Sequence, residues 1–369
     1  MRRVLVLVGL AVAVATLTVV WLVLRPATSP RMRATGSPAA RALVDRTIEV
    51  PDTILEERLQ ALANAAPGRC AIAAKDLGTG AVVRVNADEH IPLLSVVKLP
   101  VALVVLDSVD HGRWTLDTPI MLLAEDMHPR GWIGDRYPRG GRPLRLELLL
   151  REMLTRSDNS AADALMRIAG GPRAVTAWLE QHDIHDLRVD RNERQLGNDW
   201  YGLPAGADTL GSAEEIREIR ALVSDAAHDS AALAMLHDPR DTGTADGCVK
   251  LLERLWRGDL LSPAMTDTLK STLARCKTAP NRLPAMLPRG TPVARKTGTG
   301  GTAQGVTVAI DDVGVIRLPN GDDVAIAVLV GEPRGPVRRA ERVIARAARI
   351  IFDTWGGTPA NETPRALLR

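Results

Sequence analysis

Residues 293–329, VARKTGTGGTAQGVTVAIDDVGVIRLPNGDDVAIAVL, contain the pattern that decides the fold. They predict strands over Val293–Lys296, Val306–Leu318 and Asp323–Leu329, because runs rich in β-branched residues stand between turn residues. Asn320-Gly321 separates the second strand from the third, and this dipeptide is typical of a two-residue hairpin turn. The C-terminal part of the chain therefore predicts antiparallel strands of one sheet.

The N-terminal part of the same domain carries a matching pattern. Cys70–Asp76 and Ala81–Asn86 predict a hairpin around Gly78-Thr-Gly80. Before it, a helix is expected to begin at Asp52 or Thr53, with Glu56 completing a capping box. The apolar face of this helix would consist of Ile54, Leu55, Leu59 and Leu62.

The segment between these strands, from Ser95 to about Gly258, has a mainly helical pattern. A last helix is predicted over Val337–Trp355. Strands at both ends with helices between them predict an α+β fold. We expect an antiparallel sheet formed from N- and C-terminal strands, flanked by helices, with an inserted all-helical subdomain. A cleft between sheet and subdomain is the natural place for a site.

Val4–Leu24 is a run of 21 uncharged residues flanked by Arg2, Arg3 and Arg25. As a helix it would span about 31 Å, which matches the core of a bilayer. No small-residue cleavage site follows directly, so the pattern favours an uncleaved anchor over a cleaved signal peptide. The predicted organisation is 1–25 as a transmembrane anchor or signal segment, 26–51 as a linker, 52–357 as the catalytic domain and 358–369 as a flexible tail.

The composition excludes several classes of function. A net charge of +3 is small against 47 basic and 44 acidic residues, and no basic stretch alternates with aromatics, so we predict no nucleic-acid partner. Cys70, Cys248 and Cys276 are too few for a disulfide framework and are expected to be buried, with a Cys248–Cys276 bridge left open. His182 and His185 predict a solvated pair at a helix end rather than a zinc site. No cofactor and no metal are expected.

The first chemical motif is Ser95-Val-Val-Lys98, which begins an apolar helical run. Three residues apart on a helix, the two side chains share a face. A serine hydroxyl needs a base to become a nucleophile, and a buried lysine can serve as that base. The chain contains only six lysines, so a lysine in this position is less readily explained by chance.

Two further motifs follow in the sequence. Ser157-Asp-Asn159 comes after a predicted helix over Leu146–Thr155, and a polar helix cap is its alternative interpretation. Lys296-Thr-Gly298 lies on a predicted strand. A phosphate-binding loop is a competing interpretation there, but the glycines follow the lysine instead of preceding it. A glycine on an edge strand lets a ligand backbone approach closely.

The order Ser-x-x-Lys, Ser-Asp-Asn, Lys-Thr-Gly resembles that of the class A β-lactamases and the related penicillin-binding proteins. The three motifs together are far more specific than any one of them. The resemblance covers about residues 54–357 and implies a β-lactamase/transpeptidase-like fold. It also implies acyl transfer through a serine.

Two features resemble the class A enzymes in particular. Glu193 lies 36 residues after Ser157 (193 minus 157), similar to the spacing of the Ω-loop glutamate that activates the deacylating water. A surface carboxylate is its alternative interpretation. Arg191 resembles the arginine that closes the neck of that loop by pairing with an aspartate, which here would be Asp241.

The same resemblance implies the catalytic roles. Ser95 would be the nucleophile, and Ser157 would pass a proton to the leaving nitrogen. The base in acylation stays open between Lys98 and Glu193 acting through water. The backbone N–H groups of Ser95 and Thr299 would form the oxyanion hole.

Substrate would bind beside these groups. Asn159 would bind its side-chain amide, and Lys296 would bind its carboxylate. Arg282 resembles an arginine that adds positive charge for that carboxylate in some class A enzymes, with a surface arginine as the alternative. Trp132 would form an aromatic wall at the cleft mouth, unless it packs in the core or on the surface. The predicted substrate-binding residues are Asn159, Thr297, Gly298, Thr299, Arg282 and Trp132.

The sequence departs from the family pattern in two places. Gly197 stands where many class A enzymes have an asparagine that helps hold the hydrolytic water, and Asn198 comes one residue late. This counts against efficient deacylation. The segment around 199–238 resembles an insertion in the Ω-loop region. Within it, Ser212-x-x-Glu215 predicts a helix start, and its expected apolar stripe is Ile216, Ile219 and Leu222.

The predicted function is hydrolysis of the β-lactam ring, a cyclic amide, through a Ser95 acyl-enzyme, with β-lactams as the small-molecule substrate. The alternative is a penicillin-binding protein-like D-Ala-D-Ala peptidase or transpeptidase acting on peptidoglycan stem peptides. A non-catalytic β-lactam-binding protein is the third reading. The protein is expected to be a monomer, exported to the periplasmic or extracytoplasmic side of the bacterial inner membrane and tethered by residues 4–24.

Overall fold

A six-stranded sheet at the centre of the fold is built from both ends of the described chain. The computed structural model describes residues 50–129, 131–203 and 211–356. In chain order the strands are β1 (Val50–Pro51), β2 (Arg69–Asp76), β3 (Ala81–Val85), β4 (Ile91–Pro92), β5 (Pro119–Met121), β6 (Pro143–Arg145), β7 (Thr242–Gly243), β8 (Val293–Thr299), β9 (Thr302–Ala303), β10 (Val306–Thr307), β11 (Ala309–Arg317) and β12 (Asp323–Gly331). The α-helices are α1 (Thr53–Asn64), α2 (Lys98–Asp110), α3 (Trp132–Arg136), α4 (Leu146–Thr155), α5 (Asn159–Ile168), α6 (Pro172–Gln181), α7 (Glu193–Tyr201), α8 (Ala213–Ala221), α9 (Asp225–Ala234), α10 (Ala245–Arg257), α11 (Pro263–Leu273) and α12 (Arg338–Trp355).

The sheet has the strand order β1-β3-β2-β12-β11-β8, so β2 from the N-terminal part of the domain pairs with the last strand, β12, at its centre. Only the two-residue strand β1 pairs in parallel; its neighbours are antiparallel. The β2–β3 and β11–β12 hairpins form where the sequence predicts them, with Gly321 at a φ of 95° in the second turn. The strand predicted over Val306–Leu318 is divided, because β10 ends before Val308 and pairs with β9 instead. The α+β prediction is confirmed.

Helices α1 and α12 cover one face of the sheet. Their apolar sides join the sheet in a core that includes Leu55, Leu59, Ile344 and Ile351. Asp52 caps α1 by accepting a hydrogen bond from the backbone N–H of Leu55 at 3.0 Å. Two details of the predicted helix are therefore wrong. Capping at Asp52 puts Leu55, not Glu56, at the third helical position, and Ile54 faces solvent with 74% of its surface exposed.

The opposite face of the sheet carries α10, and the helical subdomain lies beyond it. Helix α2 runs through the centre of this subdomain and has buried residues on all sides, from Lys98 to Leu106. Helices α4, α5 and α6 pack around it in a second core. The site that the motifs predict lies where the start of α2 meets the edge strand β8.

Several predicted segments fall outside the described residues. They are the anchor or signal segment 1–25, the linker up to residue 49, and the tail 358–369. Val50 and Pro51, which the sequence analysis placed in the linker, form the strand β1. Within the described ranges, no helix is both long and apolar enough to cross a membrane.

All three cysteines are free, so the Cys248–Cys276 bridge that the sequence left open is not formed. Cys70 and Cys248 are buried, as expected for small apolar side chains, but Cys276 is only partly buried, so the expectation is wrong for that residue. Burial raises the pKa of the Cys70 thiol to about 12, which keeps it protonated and unreactive at neutral pH.

Asp311 on β11 is fully buried, and burial raises the pKa of its carboxyl well above the usual value despite the nearby charge of Arg282. The folded state then keeps a proton that the unfolded state releases above about pH 4. Asp311 makes its full contribution to the unfolding free energy below pH 4. This contribution is lost as the pH rises towards the pKa of the carboxyl in the folded state. We expect Asp311→Asn to raise the unfolding free energy at pH 7 and to change it little at pH 4.

Urea unfolding at the two pH values measures this difference. Asp117→Asn, on an exposed carboxylate, is the control and should change stability by less than about 0.5 kcal/mol at both pH values. An Asp311→Asn variant that is equally destabilised at pH 4 and pH 7 would contradict a neutral, buried carboxyl.

Candidate active site

Ser95 lies in a 3-10 turn, Leu94–Val97, that leads directly into α2. The preceding residue, Leu94, has a φ of 50°, a backbone conformation that costs energy for a branched side chain and that clusters at functional sites. Gly298 on β8 explains how the turn approaches the sheet. A Cβ on this glycine would lie 2.6 Å from the carbonyl oxygen of Leu93. The glycine of the third motif therefore lets the serine segment pack against the edge strand.

Lys98 is the first residue of α2 and is only 1% exposed. Its ammonium donates hydrogen bonds to Asn159 Oδ1 at 2.6 Å, to the Ser157 carbonyl at 2.8 Å and to Ser157 Oγ at 3.2 Å. Glu193 Oε1 lies 3.1 Å from the same nitrogen. One lysine thus joins three elements: α2, the Ser157 loop and α7.

Ser157 lies between two lysines. Its Oγ accepts hydrogen bonds from Lys98 at 3.2 Å and from Lys296 at 3.0 Å. The residue has a φ of 61°, a second left-handed non-glycine conformation at the site. Asp158 acts as the N-cap of α5 by accepting from Ala161 N at 3.0 Å, so the cap interpretation holds for this residue of the motif. Its two neighbours in the motif instead contact the lysines.

Lys296 is fully buried on β8, and its ammonium also donates to the Thr297 carbonyl at 2.8 Å. Burial, together with the positive charge of Lys98, lowers the pKa of Lys296 to about 7. Thr297 Oγ1 lies 2.6 Å from Thr278 Oγ1. The site therefore holds a cation that is lost just above neutral pH.

Glu193 is the first residue of α7, and its carboxylate is largely buried beside Lys98. Asn192 caps the helix and forms a capping box with Gln195. Asp163 on α5 accepts hydrogen bonds from the backbone N–H of Glu193 at 2.8 Å and of Arg194 at 3.0 Å. A buried His128 lies 2.7 Å from Asp163 Oδ2. The sequence analysis missed both supports, although Asp163 stands four residues after Asn159 on the same helix.

A cavity of about 10 Å³ lies against Lys98 and Glu193. This is about the space that one water molecule needs. Asn192 supplies a further polar group to its wall, and the remaining lining residues are Leu94, Val97, Val101, Ala162, Asp163, Met166, Arg191, Leu196 and Asp241.

Arg191 and Asp241 form the predicted pair, with 2.6 Å between Nε and Oδ2. The guanidinium also contacts Asp199 at 2.7 Å and Asp238 at 2.9 Å. Burial raises the pKa of Asp241, while the Arg191 charge opposes that rise. The exposed Arg240 contacts Asp199 and Asp238 from the solvent side. Asp199 and Asp238, at the two ends of the segment around 199–238, therefore both contact the buried Arg191.

Arg282 is not a surface arginine, because only 2% of it is exposed. It donates to the Gly298 carbonyl at 2.7 Å and to Thr299 Oγ1 at 2.8 Å, and it lies 3.4 Å from Glu341. It therefore lies directly beneath the end of β8. Trp132 begins α3 and is 43% exposed; the next residue, Ile133, donates its N–H to Asp158 at 3.0 Å. This places the backbone at the start of α3 beside the Ser157 loop.

Helices α8 and α9, from the segment around 199–238, lie next to α7. The Ser212 and Glu215 capping box forms as predicted, and Ile216 is buried, but Leu222 is 84% exposed and does not belong to the apolar stripe. Arg220 of α8 lies over Gly197, where a Cβ would be 2.4 Å from its guanidinium.

Aromatic residues of α7 contact α9 and the turn after β8. Tyr201 and His228 stack with 4.8 Å between ring centroids. A Cβ on Gly301, in the turn after β8, would lie 2.2 Å from the ring of Trp200. The indole thus packs directly on the backbone of that turn and connects α7 with the far wall of the cleft.

No group of three or more His, Cys, Asp or Glu side chains that could hold a metal occurs in 50–129, 131–203 or 211–356. The site instead combines a serine, two buried lysines, a second serine and a carboxylate. Such a set can activate a hydroxyl, transfer an acyl group and activate water without a cofactor.

Comparisons with known proteins agree with this geometry. The sequence profile of the Beta-lactamase enzyme family matches residues 54–355. The chain is 29% identical over 275 residues to the β-lactamase VEB-1 of Pseudomonas aeruginosa, which covers 74% of this chain and 81% of that protein.

Solved structures match over the same domain. A β-lactamase from Chitinophaga pinensis gives a TM-score of 0.69 at 27% identity, covering 82% of this chain and 99% of that one. An ancestral class A β-lactamase gives a TM-score of 0.66 at 29% identity, covering 82% of this chain and 100% of that one. With the profile match over residues 54–355 and the arrangement around Ser95, the chain belongs to the Beta-lactamase enzyme family, in its class A group.

Proposed function

We propose that the protein hydrolyses β-lactams through an acyl-enzyme on Ser95, which water activated by Glu193 then releases. The observation that carries this proposal is the position of Glu193 Oε1, 3.1 Å from Lys98 Nζ at the start of the nucleophile helix. A carboxylate beside the nucleophile and its neighbouring lysine can act as a base in a hydrolytic second step.

In acylation, Ser95 attacks the lactam carbonyl and loses its proton to a base within the site. The base is Lys98, or Glu193 through water. Ser157 then passes a proton to the lactam nitrogen as the C–N bond breaks, since its Oγ contacts both lysines. The backbone N–H groups of Ser95 and Thr299 stabilise the oxyanion.

In deacylation, Glu193 takes a proton from a water molecule, and the oxygen of that water attacks the ester on Ser95. The C–O bond to the serine then breaks, and the serine recovers its proton. The cavity of about 10 Å³ beside Glu193 supports this step because it has room for one water molecule. Gly197 offers no side chain to that water, which favours slower release than in relatives with an asparagine there.

Substrate binding uses the other side of the cleft. Lys296 and Thr297 bind the substrate carboxylate, with Thr299 at the end of the strand. Arg282 orients Thr299 through the 2.8 Å hydrogen bond. Asn159 binds the side-chain amide, although its Oδ1 already accepts from Lys98, so its amide nitrogen is the group that faces substrate.

A pH dependence follows from Lys296. Its pKa of about 7 means that the ammonium is present below pH 7 and is lost above it. We expect kcat/KM for a β-lactam with a free carboxylate to fall above pH 7, approaching tenfold per pH unit. The methyl ester of the same substrate has no carboxylate charge and should show a smaller fall. Equal pH profiles for acid and ester would contradict a carboxylate contact with Lys296.

The function itself is tested with a chromogenic cephalosporin, by following turnover and protein mass together in wild type and Ser95→Ala. Many turnovers in wild type, with neither turnover nor adduct in Ser95→Ala, are expected. A stable adduct on Ser95 without turnover would favour the penicillin-binding protein-like peptidase or the non-catalytic β-lactam-binding protein. Absence of any adduct or turnover in wild type would refute the β-lactam proposal.

For the whole chain, we propose a monomer that is exported and tethered to the inner membrane by residues 4–24. The support is the run of 21 uncharged residues between arginines. Membrane fractions with and without residues 1–49 test the tether, and a soluble full-length protein would contradict it.

A further inference from the structure

Helix α12 carries a groove lined by arginines on the side away from the sheet. The groove has a volume of about 440 Å³, and a short apolar floor lies beneath the guanidinium groups. We call it the arginine groove, and its lining residues are Leu62, Ala65, Pro67, Arg338, Arg339, Arg342, Val343 and Arg346. All four arginines are exposed.

None of the four arginines has an ion pair or a side-chain hydrogen bond within the described part of the chain. By contrast, Arg349 further along the same helix pairs with Asp353 at 2.7 Å. Arg338, Arg342 and Arg346 follow each other at four-residue spacing, where like charges destabilise a helix. Local stability therefore gives no reason for this cluster.

The partial negative charge at the end of α1 offsets only part of the positive charge of the four arginines. Ala65, the C-cap of α1, lines the groove, so the partial negative charge of that helix end faces the arginines. A helix end carries about half an elementary charge. Among the described residues, at least three of the four positive charges have no ion-pair partner, and the acidic residues of α1, Glu56 and Glu57, lie at its other end.

The α1–α12 layer that carries the groove also receives the chain as it enters the domain, at the other end of α1. Asp52, two residues after β1 begins, accepts a hydrogen bond from Trp355 Nε1 at 2.9 Å at the end of α12. The exposed Ile54 and Arg58 share a helical stripe with Ala65 of the groove. This outer layer packs on the opposite side of the sheet from α2 and Ser95, so binding to it leaves the cleft open.

We infer that the arginine groove binds the anionic phospholipid surface of the membrane to which the chain is tethered. The inference draws on the proposed tether. The proposed tether ends at residue 24, and the 25 residues between it and β1 would span about 30 Å on average as a random coil, a distance over which the α1–α12 layer can reach the bilayer. Anionic headgroups attract clustered arginines, and a partly apolar surface with Ile54 exposed suits the interface.

The test uses a chain that begins at residue 50, so that the tether itself cannot insert. Both hydrophobic cores lie within this part, and solved relatives consist of the same domain alone. We expect sedimentation with vesicles of phosphatidylcholine containing 30% phosphatidylglycerol, weakening at high salt, and none with pure phosphatidylcholine. Equal sedimentation with both vesicles, or with neither, would overturn the inference.

The variant Arg338→Gln/Arg339→Gln/Arg342→Gln/Arg346→Gln removes the groove charges. Each arginine near an anionic surface contributes about fivefold to binding, so the variant should bind at least about 100-fold more weakly. The matched control, Arg173→Gln/Arg217→Gln/Arg275→Gln/Arg289→Gln, changes four exposed arginines elsewhere and has the same net charge. An equal loss in the control would show that net charge alone acts, against the inference.

Turnover of a β-lactam in free solution separates this inference from the proposed function. The groove variant should hydrolyse substrate at the wild-type rate, because its four arginines lie across the sheet from Ser95. If wild type shows no turnover, the proposed function fails while the vesicle result still stands.

Discussion

Glu193→Gln should accumulate a covalent Ser95 adduct and lose turnover by about 10²- to 10⁴-fold, the usual contribution of a general base. Glutamine keeps the size of the side chain beside Lys98 but cannot take a proton from water. The ester therefore forms and persists. Rapid mixing followed by mass spectrometry should show one substrate mass per protein within the first turnover, and a spectrophotometric assay should show a burst followed by a very slow steady state.

Glu180→Gln is the matched control, since it removes an exposed carboxylate from α6 and should leave both steps unchanged. If Glu193→Gln keeps turnover within threefold of wild type, Glu193 is not the deacylating base. If no adduct forms and turnover is lost, Glu193 is also required in acylation, and the base in that step is not Lys98 alone.

Arg191→Ala should destabilise the protein by about 3–5 kcal/mol, the range for breaking a buried ion pair by removing one partner. The guanidinium is only 5% exposed and contacts Asp199, Asp238 and Asp241 at 2.6–2.9 Å. Its loss leaves their charges close together in a poorly solvated place. Because Glu193 follows two residues later, deacylation should slow as well. Urea unfolding measures the stability, and hydrogen exchange over residues 190–201 locates the change.

Arg240→Ala is the control for this experiment. Arg240 contacts two of the same carboxylates, Asp199 and Asp238, but 46% of its side chain is exposed. Screening by water limits such a pair to about 1 kcal/mol or less. Equal losses in the two variants would show that burial of Arg191 has no special role.

The sequence predicted those parts of the fold that depend on local pattern. The hairpin at Gly321 and the helix over Leu146–Thr155 follow from turn residues and periodicity, which act within a few residues. A sheet formed from both ends of the domain was predicted from the positions of the strands in the chain, but the order of its strands was not. Ile54 and Leu222 were placed wrongly because a helical stripe does not say which neighbour, if any, will cover it.

The sequence also predicted the motif side chains of the site, but it missed contacts between residues that are far apart in the chain. Motif residues and their spacing identify the side chains, and the structure brings Lys98, Ser157, Glu193 and Lys296 together. The Asp163 support beneath α7 was missed, because its partner Glu193 lies 30 residues away and only folding brings the two together. The burial of Arg282 likewise depends on the late strands and α12.

The contact between Trp200 and Gly301 has a consequence for the history of the family. A side chain at position 301 would enter the space that the indole occupies, with only 2.2 Å between a Cβ and the ring. Homologues that carry a larger residue at the Gly301 position should therefore carry a smaller one at the Trp200 position. Such paired replacement would appear as co-variation between the inserted segment and the turn after the Lys-Thr-Gly strand, two regions separated by about a hundred residues of sequence.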